Sequence, residues 1–155
     1  MISVIKAGFS EGYLIRMTTT DIRVVEQPPS ADEFASLRSL IGWRNPSLSV
    51  IQQSIDTSLF WVSLYRNNEL VGCGHIVGDG AMYFYVQDII VHPKYQNCGL
   101  GSIIMTSINQ YIEKTCQPGA TVGLLAANGK EAFYEKHGFV GRDGNTLGLG
   151  MCRFI

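Results

Sequence analysis

The sequence predicts a single α/β domain built around a mixed, mostly antiparallel sheet. Short runs of β-branched and aromatic residues alternate with stretches in which apolar residues recur at helical spacing. The 155 residues suit one domain, and no repeat, low-complexity segment or interdomain linker divides them. An antiparallel meander precedes a β-α-β unit, whose crossover is expected to be right-handed.

The first half of the chain predicts one strand, two helices and the meander. The run IRVVEQ at 22–27 is rich in β-branched residues and stops at two prolines, so it is predicted to be a strand. A helix capped by Ser30 or Asp32 follows, and Asn45-Pro46 starts a second helix. The predicted bounds are Ala31–Ile41 for the first helix and Phe60–Tyr65, Leu70–Val77 and Ala81–Val91 for the strands of the meander.

The second half predicts helices and strands in alternation. The expected elements are a helix at Gly101–Lys114, a strand at Thr121–Ala126, a short helix at Lys130–Lys136, a strand starting at Phe139-Val140 and a last strand at Leu147–Ile155. Clear strand patterning begins only at residue 22. Residues 1–21 are therefore predicted to be an N-terminal extension, and 22–155 the domain itself.

Composition argues against several classes of function. The formal net charge is −1, so no global basic field would draw the chain to nucleic acid or to an anionic membrane. No apolar run approaches the ~20 residues of a transmembrane helix, and the first residues lack the pattern of a secretory signal. The four cysteines are scattered without C-x-x-C or zinc-finger spacing, which predicts reduced thiols in a cytoplasmic protein and no metal site.

The stretch HPKYQNCGLGS at 92–102 is the strongest candidate for a site. It lies between a predicted strand and the N-terminus of a predicted helix, where open α/β sheets bind ligands. Unpaired N–H groups and the helix dipole favour an anion there, and glycines let the backbone approach it closely. It matches neither G-x-x-x-x-G-K-[ST] nor G-x-G-x-x-G. From the glycines alone, a plain strand-to-helix turn and an anion cradle are equally good interpretations.

Two motifs in this order carry a family resemblance. Gln96-x-x-Gly99-x-Gly101 follows Val91-His-Pro, and Asn128-Gly-Lys-Glu-Ala-Phe-Tyr134 precedes a Gly-Phe pair at 138–139. Together they resemble the pyrophosphate-binding signature and the second signature of the GCN5-related N-acetyltransferase (GNAT) superfamily. The resemblance covers the order of elements from about residue 22 to 155. It implies a GNAT-like single domain, with helices on both faces of the sheet and a central parallel strand pair that splays apart.

The resemblance implies acetyl-CoA as the co-substrate and assigns its binding residues. The pyrophosphate would sit on the loop, and the pantetheine arm would pair with backbone groups at the end of the preceding strand. The implied cofactor-binding residues are Ile89, Ile90, Val91, Gln96, Asn97, Cys98, Gly99, Leu100, Gly101, Ser102, Asn128 and Phe133.

The resemblance also implies candidates for the chemistry. Tyr134 is the candidate general acid, because a phenol is protonated at neutral pH and can donate to the leaving thiolate. Asp88 either binds or deprotonates the amine, or is a structural hydrogen-bond acceptor. Tyr85 lies where some relatives place a glutamate base, and His75 is a third option for the base. Trp43, Tyr83 and Tyr85 are expected either to line the acceptor pocket or to pack in the core.

The sequence around these motifs looks most like that of the branches that acetylate small amines. The acidic pair that is usual in those branches is here Gln87-Asp88. The leading hypothesis is direct transfer of acetyl to a primary amine in a ternary complex, the acceptor being an amino sugar, a polyamine or an aralkylamine. The alternatives are a protein or peptide N-acetyltransferase, a non-catalytic acyl-CoA-binding module, and a binder of another phosphate ligand. The apolar C-terminal run is compatible with a homodimer.

Overall fold

The computed structural model describes residues 21–153, which form one five-stranded mixed sheet with helices on both faces. The strands are β1 (Arg23–Val25), β2 (Phe60–Arg66), β3 (Glu69–Gly78), β4 (Tyr83–Val91) and β5 (Thr121–Gly123), and the helices are α1 (Ala31–Leu40), α2 (Leu48–Thr57), α3 (Leu100–Thr115) and α4 (Glu131–Glu135). The sheet order is β1-β2-β3-β4-β5, antiparallel except for the parallel β4–β5 pair. The predicted fold class is confirmed.

Each face of the sheet carries its own apolar core. Helix α3 packs on one face, and helices α1 and α2 pack on the other. The α3 core is formed by Val62, Leu64, Val71, Ile76, Phe84, Val86, Leu100, Ile104, Met105 and Ile108. The α1/α2 core is formed by Phe34, Leu37, Ile51, Ile55, Trp61, Leu70, Cys73 and Ile90. A sheet covered on both faces needs apolar residues at successive strand positions, as β2 and β3 have.

Helix α1 begins with a capping box. The Ser30 hydroxyl accepts a hydrogen bond from the backbone N–H of Glu33, and the Glu33 carboxylate accepts one from the backbone N–H of Ser30. Two donors that the helix cannot satisfy itself are thereby paired. Of the two caps that the sequence left open, the structure has Ser30.

A β-bulge interrupts the β3–β4 ladder at Asp88. Cys73 pairs with Ile90 and His75 pairs with Gln87, so one β3 residue lies opposite two residues of β4. Asp88 adopts a left-handed conformation with φ 51°. The extra residue reverses the alternation of faces, because Val86 lies in the α3 core and Ile90 lies in the α1/α2 core. The bulge therefore reverses the face of the sheet to which each residue after Asp88 on β4 points.

The parallel pair splays apart beyond its first residues. Strand β5 pairs with β4 only from Tyr83 to Tyr85, after which β5 ends at Gly123 while β4 continues to Val91. The far end of β4 consequently has β3 on one side and no parallel partner on the other. This is the splay that the resemblance implied.

Two predicted strands are wrong within the described residues. Neither Phe139-Val140 nor 147–153 forms a strand, and residues 154–155 lie outside the described part of the chain. Glycines at 138, 141, 144, 148 and 150 interrupt the segment, and glycine weakens strands. Asp143 instead folds a turn by accepting hydrogen bonds from the N–H groups of residues 145 and 146. Phe139 packs against the α3 core, but the later apolar side chains are mostly exposed, Met151 at 95%.

Strand β5 is also shorter than the predicted Thr121–Ala126, because β4 diverges from it after the third paired residue. The predicted N-terminal extension lies outside the described residues, except for residue 21.

The close approach of β3 to α3 gives a testable prediction. A Cβ at Gly74 would lie 2.5 Å from Ile89 Cδ1 and 2.7 Å from Ile104 Cγ2, so Gly74→Ala should overpack the core and lower the free energy of unfolding by about 1–3 kcal/mol. Gly141→Ala is the control, because a Cβ there meets nothing within 4 Å. Urea unfolding of both variants is the measurement, and equal stabilities would refute this packing.

Candidate functional site

The loop between β4 and α3 is shaped by two left-handed residues. His92 Nδ1 accepts a hydrogen bond from the N–H of Lys94 at 3.1 Å, which supports a short 3-10 turn over Pro93–Tyr95. Asn97 (φ 61°) and Gly99 (φ 83°) then curl the chain into α3. Asparagine and glycine are the residues that adopt this conformation most readily.

The N-terminus of α3 has no side-chain cap. Gly99 is the N-cap, and the hydrogen bond from Ile103 N–H to its carbonyl, at 3.2 Å, belongs to the first turn of the helix. The N–H groups of residues 100–102 therefore have no partner within the helix, and the helix dipole adds partial positive charge there. A helix start built for packing alone more often carries a Ser, Thr, Asp or Asn cap. The geometry thus favours the anion cradle over the plain turn.

The two glycines of the loop are required for different reasons. A Cβ at Gly99 would meet nothing within 4 Å, so its positive φ is what demands glycine. A Cβ at Gly101 would lie 3.2 Å from Cζ of Phe133, so α4 rests its aromatic ring directly against the first turn of α3. The two sequence motifs are therefore in contact through Gly101 and Phe133.

The backbone at the end of β4 faces the gap between β4 and β5. The N–H of His92 donates to the Val71 carbonyl at 2.9 Å, so residue 92 faces β3. Backbone groups alternate in direction along an antiparallel ladder, so Ile90 also faces β3, while Ile89 and Val91 face the gap. The Gln96 side-chain amide donates to the Val91 carbonyl at 3.1 Å, which agrees with that direction.

The remaining loop and turn residues are exposed. Asn97 and Cys98 lie on the surface of the loop, and the Cys98 thiol donates to the Gln96 carbonyl at 3.4 Å. Asn128 is exposed in the turn between β5 and α4. Asn97 and Cys98 thus follow β4 in the chain, and Asn128 follows β5.

Asp88 is buried within an ion pair. Its side chain is on the α1/α2 face, where Arg38 Nη1 donates to Oδ1 at 2.7 Å and His75 Nε2 lies 3.1 Å from Oδ2. The Gln87 amide donates weakly to Oδ1 at 3.5 Å, and Asp88 is only 8% exposed. Both carboxylate oxygens are therefore engaged, and the positive guanidinium offsets the negative charge.

Tyr134 is half-buried where α4 packs against the α3 core. Its ring lies edge-on to Phe133 at 5.1 Å and to Phe139 at 6.3 Å. Burial raises the pKa of Tyr134 above its ordinary value, so the hydroxyl keeps its proton throughout the neutral range. An amide of Asn109 on α3 donates to the His137 carbonyl at 3.1 Å and ties this end of α4 to α3.

The predicted aromatic lining of the acceptor pocket is only partly brought together. The Trp43 ring lies 5.1 Å from the Arg38 guanidinium, and Tyr85 is half-buried on β4, three residues before Asp88. Tyr83 is 60% exposed at the opposite end of β4. At the rise of an extended strand, five residues separate it from Asp88 by about 16 Å.

Three residues of this region were not found from the sequence. They are Arg38, Asn45 and Ser58, which join Asp88 and His75 in one hydrogen-bonded chain. A basic residue in the last turn of a helix is expected simply to complement the helix dipole. No local pattern indicates that Arg38 reaches a strand fifty positions later.

Metal sites and membrane-spanning helices are absent from residues 21–153. No group of three His, Cys, Asp or Glu side chains in this range could hold a metal ion. No helix described in the structure is both long enough and apolar enough to cross a bilayer.

Comparisons with known proteins agree with the motifs. Residues 56–141 match the family model for the acetyltransferase (GNAT) domain. The chain is 25% identical over 147 residues to GCN5-related N-acetyltransferase 1, chloroplastic, of Arabidopsis thaliana, covering 93% of this chain and 70% of that protein. It is 28% identical over 113 residues to the uncharacterized N-acetyltransferase ycf52 of Pyropia yezoensis, covering 70% of this chain and 63% of that protein.

A solved structure is similar over most of the chain. It is a Staphylococcus aureus protein of unknown function described as a probable acetyltransferase, with 28% identity and a TM-score of 0.77. The match covers 85% of this chain and 99% of the S. aureus chain.

Proposed function

Because the chain belongs to the GNAT acetyltransferase family, whose enzymes bind acetyl-CoA and an acceptor, we propose that it transfers the acetyl group of acetyl-CoA to a primary amine of a small molecule. The transfer is direct, within a ternary complex. The observation that carries the proposal is the uncapped N-terminus of α3 beside the free edge of β4. The N-terminus of α3 offers N–H donors for a pyrophosphate. The edge of β4 offers backbone donors and acceptors for the amides of the pantetheine arm.

The pyrophosphate of acetyl-CoA is held by the loop and the first turn of α3. The free N–H groups of Leu100, Gly101 and Ser102 donate to its oxygens, and the helix dipole favours its charge. The backbone of Asn97, Cys98 and Gly99 shapes the cradle around it. The family resemblance implies that the Gln96 side chain donates to the same oxygens.

The pantetheine arm lies along the open edge of β4. Its amides pair with the backbone of Ile89 and Val91 as an added strand would, with buried Ile90 between them. An arm amide that donates to the Val91 carbonyl replaces the Gln96 amide there and frees it for the pyrophosphate. Asn128 hydrogen-bonds the arm from the other side of the gap, and Phe133 packs on it.

The reaction forms a C–N bond and breaks the C–S bond of the thioester. The amine attacks the carbonyl carbon, and a backbone N–H near Val91 stabilises the charge that develops on the carbonyl oxygen. Tyr134 then donates its proton to the leaving thiolate. The amine's own proton leaves through water. Tyr134 keeps its proton until this step, because burial raises its pKa.

Two roles were open for Asp88, and its contacts favour the structural one. Both oxygens of the carboxylate are already engaged, Oδ1 by the Arg38 guanidinium and Oδ2 by the facing His75 ring. We therefore assign a structural role in β4 to Asp88. Groups around Asp88, and not its carboxylate, would contact the amine. Trp43 and Tyr85 supply an aromatic boundary on this side of the site.

Compartment and assembly are part of the same proposal. Four free thiols suit a reducing compartment such as the cytoplasm. The exposed apolar side chains after α4, including Val140, Leu149 and Met151, suit a homodimer, which sedimentation of the purified chain would reveal.

Ligand binding is the first test of the donor. Acetyl-CoA should stabilise the protein against thermal unfolding by about 2.7 kcal/mol at a hundredfold excess over its Kd, whereas ATP and NAD should not. Gly101→Val should lose this stabilisation, because its side chain must displace Phe133. Gly148→Ala, at a position with open space, is the control. Equal stabilisation by all three ligands would argue for a general phosphate binder.

Turnover tests the general acid. Once a screen of amines, amino sugars, polyamines and peptides for thiol release has identified an acceptor, Tyr134→Phe should lower kcat by about a hundredfold or more and leave the Kd of acetyl-CoA unchanged. Tyr111→Phe is the matched control, since Tyr111 stacks on Phe60 on the other side of the α3 core. Full turnover by Tyr134→Phe would refute the assignment.

The pH dependence follows from the raised pKa of Tyr134. An acid must be protonated to act, so the tyrosine should sustain the rate up to and beyond pH ~10, its ordinary titration point, and the rate should fall only above that value. The slow Tyr134→Phe variant should lack this alkaline limb. Initial rates from pH 7 to 11, with stability checked at each pH, are the measurement. A tyrosine-dependent fall below pH 9 would contradict the burial of the hydroxyl.

A further inference from the structure

We propose that His75 and Arg38 are positioning residues: they hold the bulge at Asp88, and the bulge decides which backbone groups of β4 meet the pantetheine arm. The inference rests on the proposed function, because it concerns the binding of the same donor. It assigns a role to a buried histidine and a buried ion pair that the chemistry itself does not use.

The bulge changes the direction of the backbone. With it, Cys73 pairs with Ile90, and Ile89 and Val91 face the gap. A regular ladder continuing from the His75–Gln87 pair would place Cys73 opposite Ile89 instead. Backbone directions alternate, so Ile89 and Val91 would then face β3. One inserted residue therefore determines whether the arm meets their N–H and carbonyl groups.

The bulge needs outside support. Asp88 has φ 51°, a left-handed conformation that is unfavourable for a side chain with a Cβ and that persists when the surroundings fix it. Aspartate tolerates this conformation better than most residues, but it does not adopt it without help inside a strand. The support comes through its carboxylate, which is contacted by His75 from β3 and by Arg38 from α1.

The first grip comes from β3. The His75 ring stacks on Trp61 with their centroids 4.1 Å apart and an interplanar angle of 9°. Its Nδ1 lies 2.9 Å from the Ser58 hydroxyl at the end of α2, which leaves Nε2 aimed at Asp88. A ring fixed on its face and at both nitrogens has no freedom to release the carboxylate.

The second grip comes from α1. Arg38 donates to Asp88 through Nη1 and to Asn45 Oδ1 through Nε, at 2.7 and 2.9 Å. Its Nη2 reaches the Arg44 carbonyl at 3.4 Å, and Trp43 lies against the guanidinium. Arg38 thus fixes the segment between α1 and α2 to the same residue that sets the direction of β4.

Binding of two ligands separates this role from simple stabilisation. His75→Leu and Arg38→Met should weaken acetyl-CoA binding by roughly tenfold, the cost of one charge-assisted hydrogen bond. Neither should change the affinity for adenosine 3′-phosphate 5′-diphosphate, which carries the pyrophosphate but no arm. Arg38→Lys is the milder second variant, because a lysine keeps the charge but cannot bridge Asp88 and Asn45. Arg38→Lys should also weaken acetyl-CoA binding. His75→Gln keeps a hydrogen-bond donor, so it should retain most of the acetyl-CoA affinity that His75→Leu loses.

Arg23→Met is the matched control, since Arg23 also lies over an aromatic ring, 4.7 Å from that of Tyr65, but on β1. Calorimetry gives the affinities, and circular dichroism shows which variants are folded. Equal weakening of both ligands, or unchanged acetyl-CoA binding in folded Arg38→Lys, would overturn the inference. If the wild-type protein binds the diphosphate but not acetyl-CoA, the proposed function itself falls.

Discussion

The candidate site depends on the partly buried ion pair between Asp88 and Arg38. Removing two charges from water is costly unless they are paired and hydrogen-bonded, so each group fixes the position of the other. Asp88 belongs to the strand that borders the gap, and Arg38 belongs to the helix that leads into the segment beside it. A single interaction thereby couples the strand that we propose for the donor to the segment that we expect to meet the acceptor.

A second coupling joins the proposed donor cradle to the helix that carries the proposed general acid. Phe133 packs against the backbone of Gly101, and its neighbour Tyr134 projects from the same short helix into the α3 core. Helix α4 spans only Glu131–Glu135, so it owes little of its stability to its own hydrogen bonds. Its orientation is set by packing on α3. The groups that we propose for the pyrophosphate and for the thiolate therefore share one support.

Sequence reasoning succeeded where the signal is local and failed where it is not. The capped start of α1 and the glycine loop are short patterns with a direct backbone cause, and the structure has them. The bulge at Asp88 is invisible in the sequence, since the buried residues of β4 alternate without a break through the reversal of faces. The C-terminal strands were wrong because glycines interrupt the apolar run, and glycine weakens a strand. Arg38 was missed because its partner is distant in the chain.

The unpaired edge of β4 beyond Tyr85 also bears on solubility. A free sheet edge is a template for another chain, and proteins generally shorten, twist or cover such edges to avoid aggregation. Here the exposed stretch is brief, the bulge bends it, and the Gln96 amide occupies the Val91 carbonyl. The edge that we propose for a ligand amide is thus kept from pairing with a foreign strand by its short length and its irregularity.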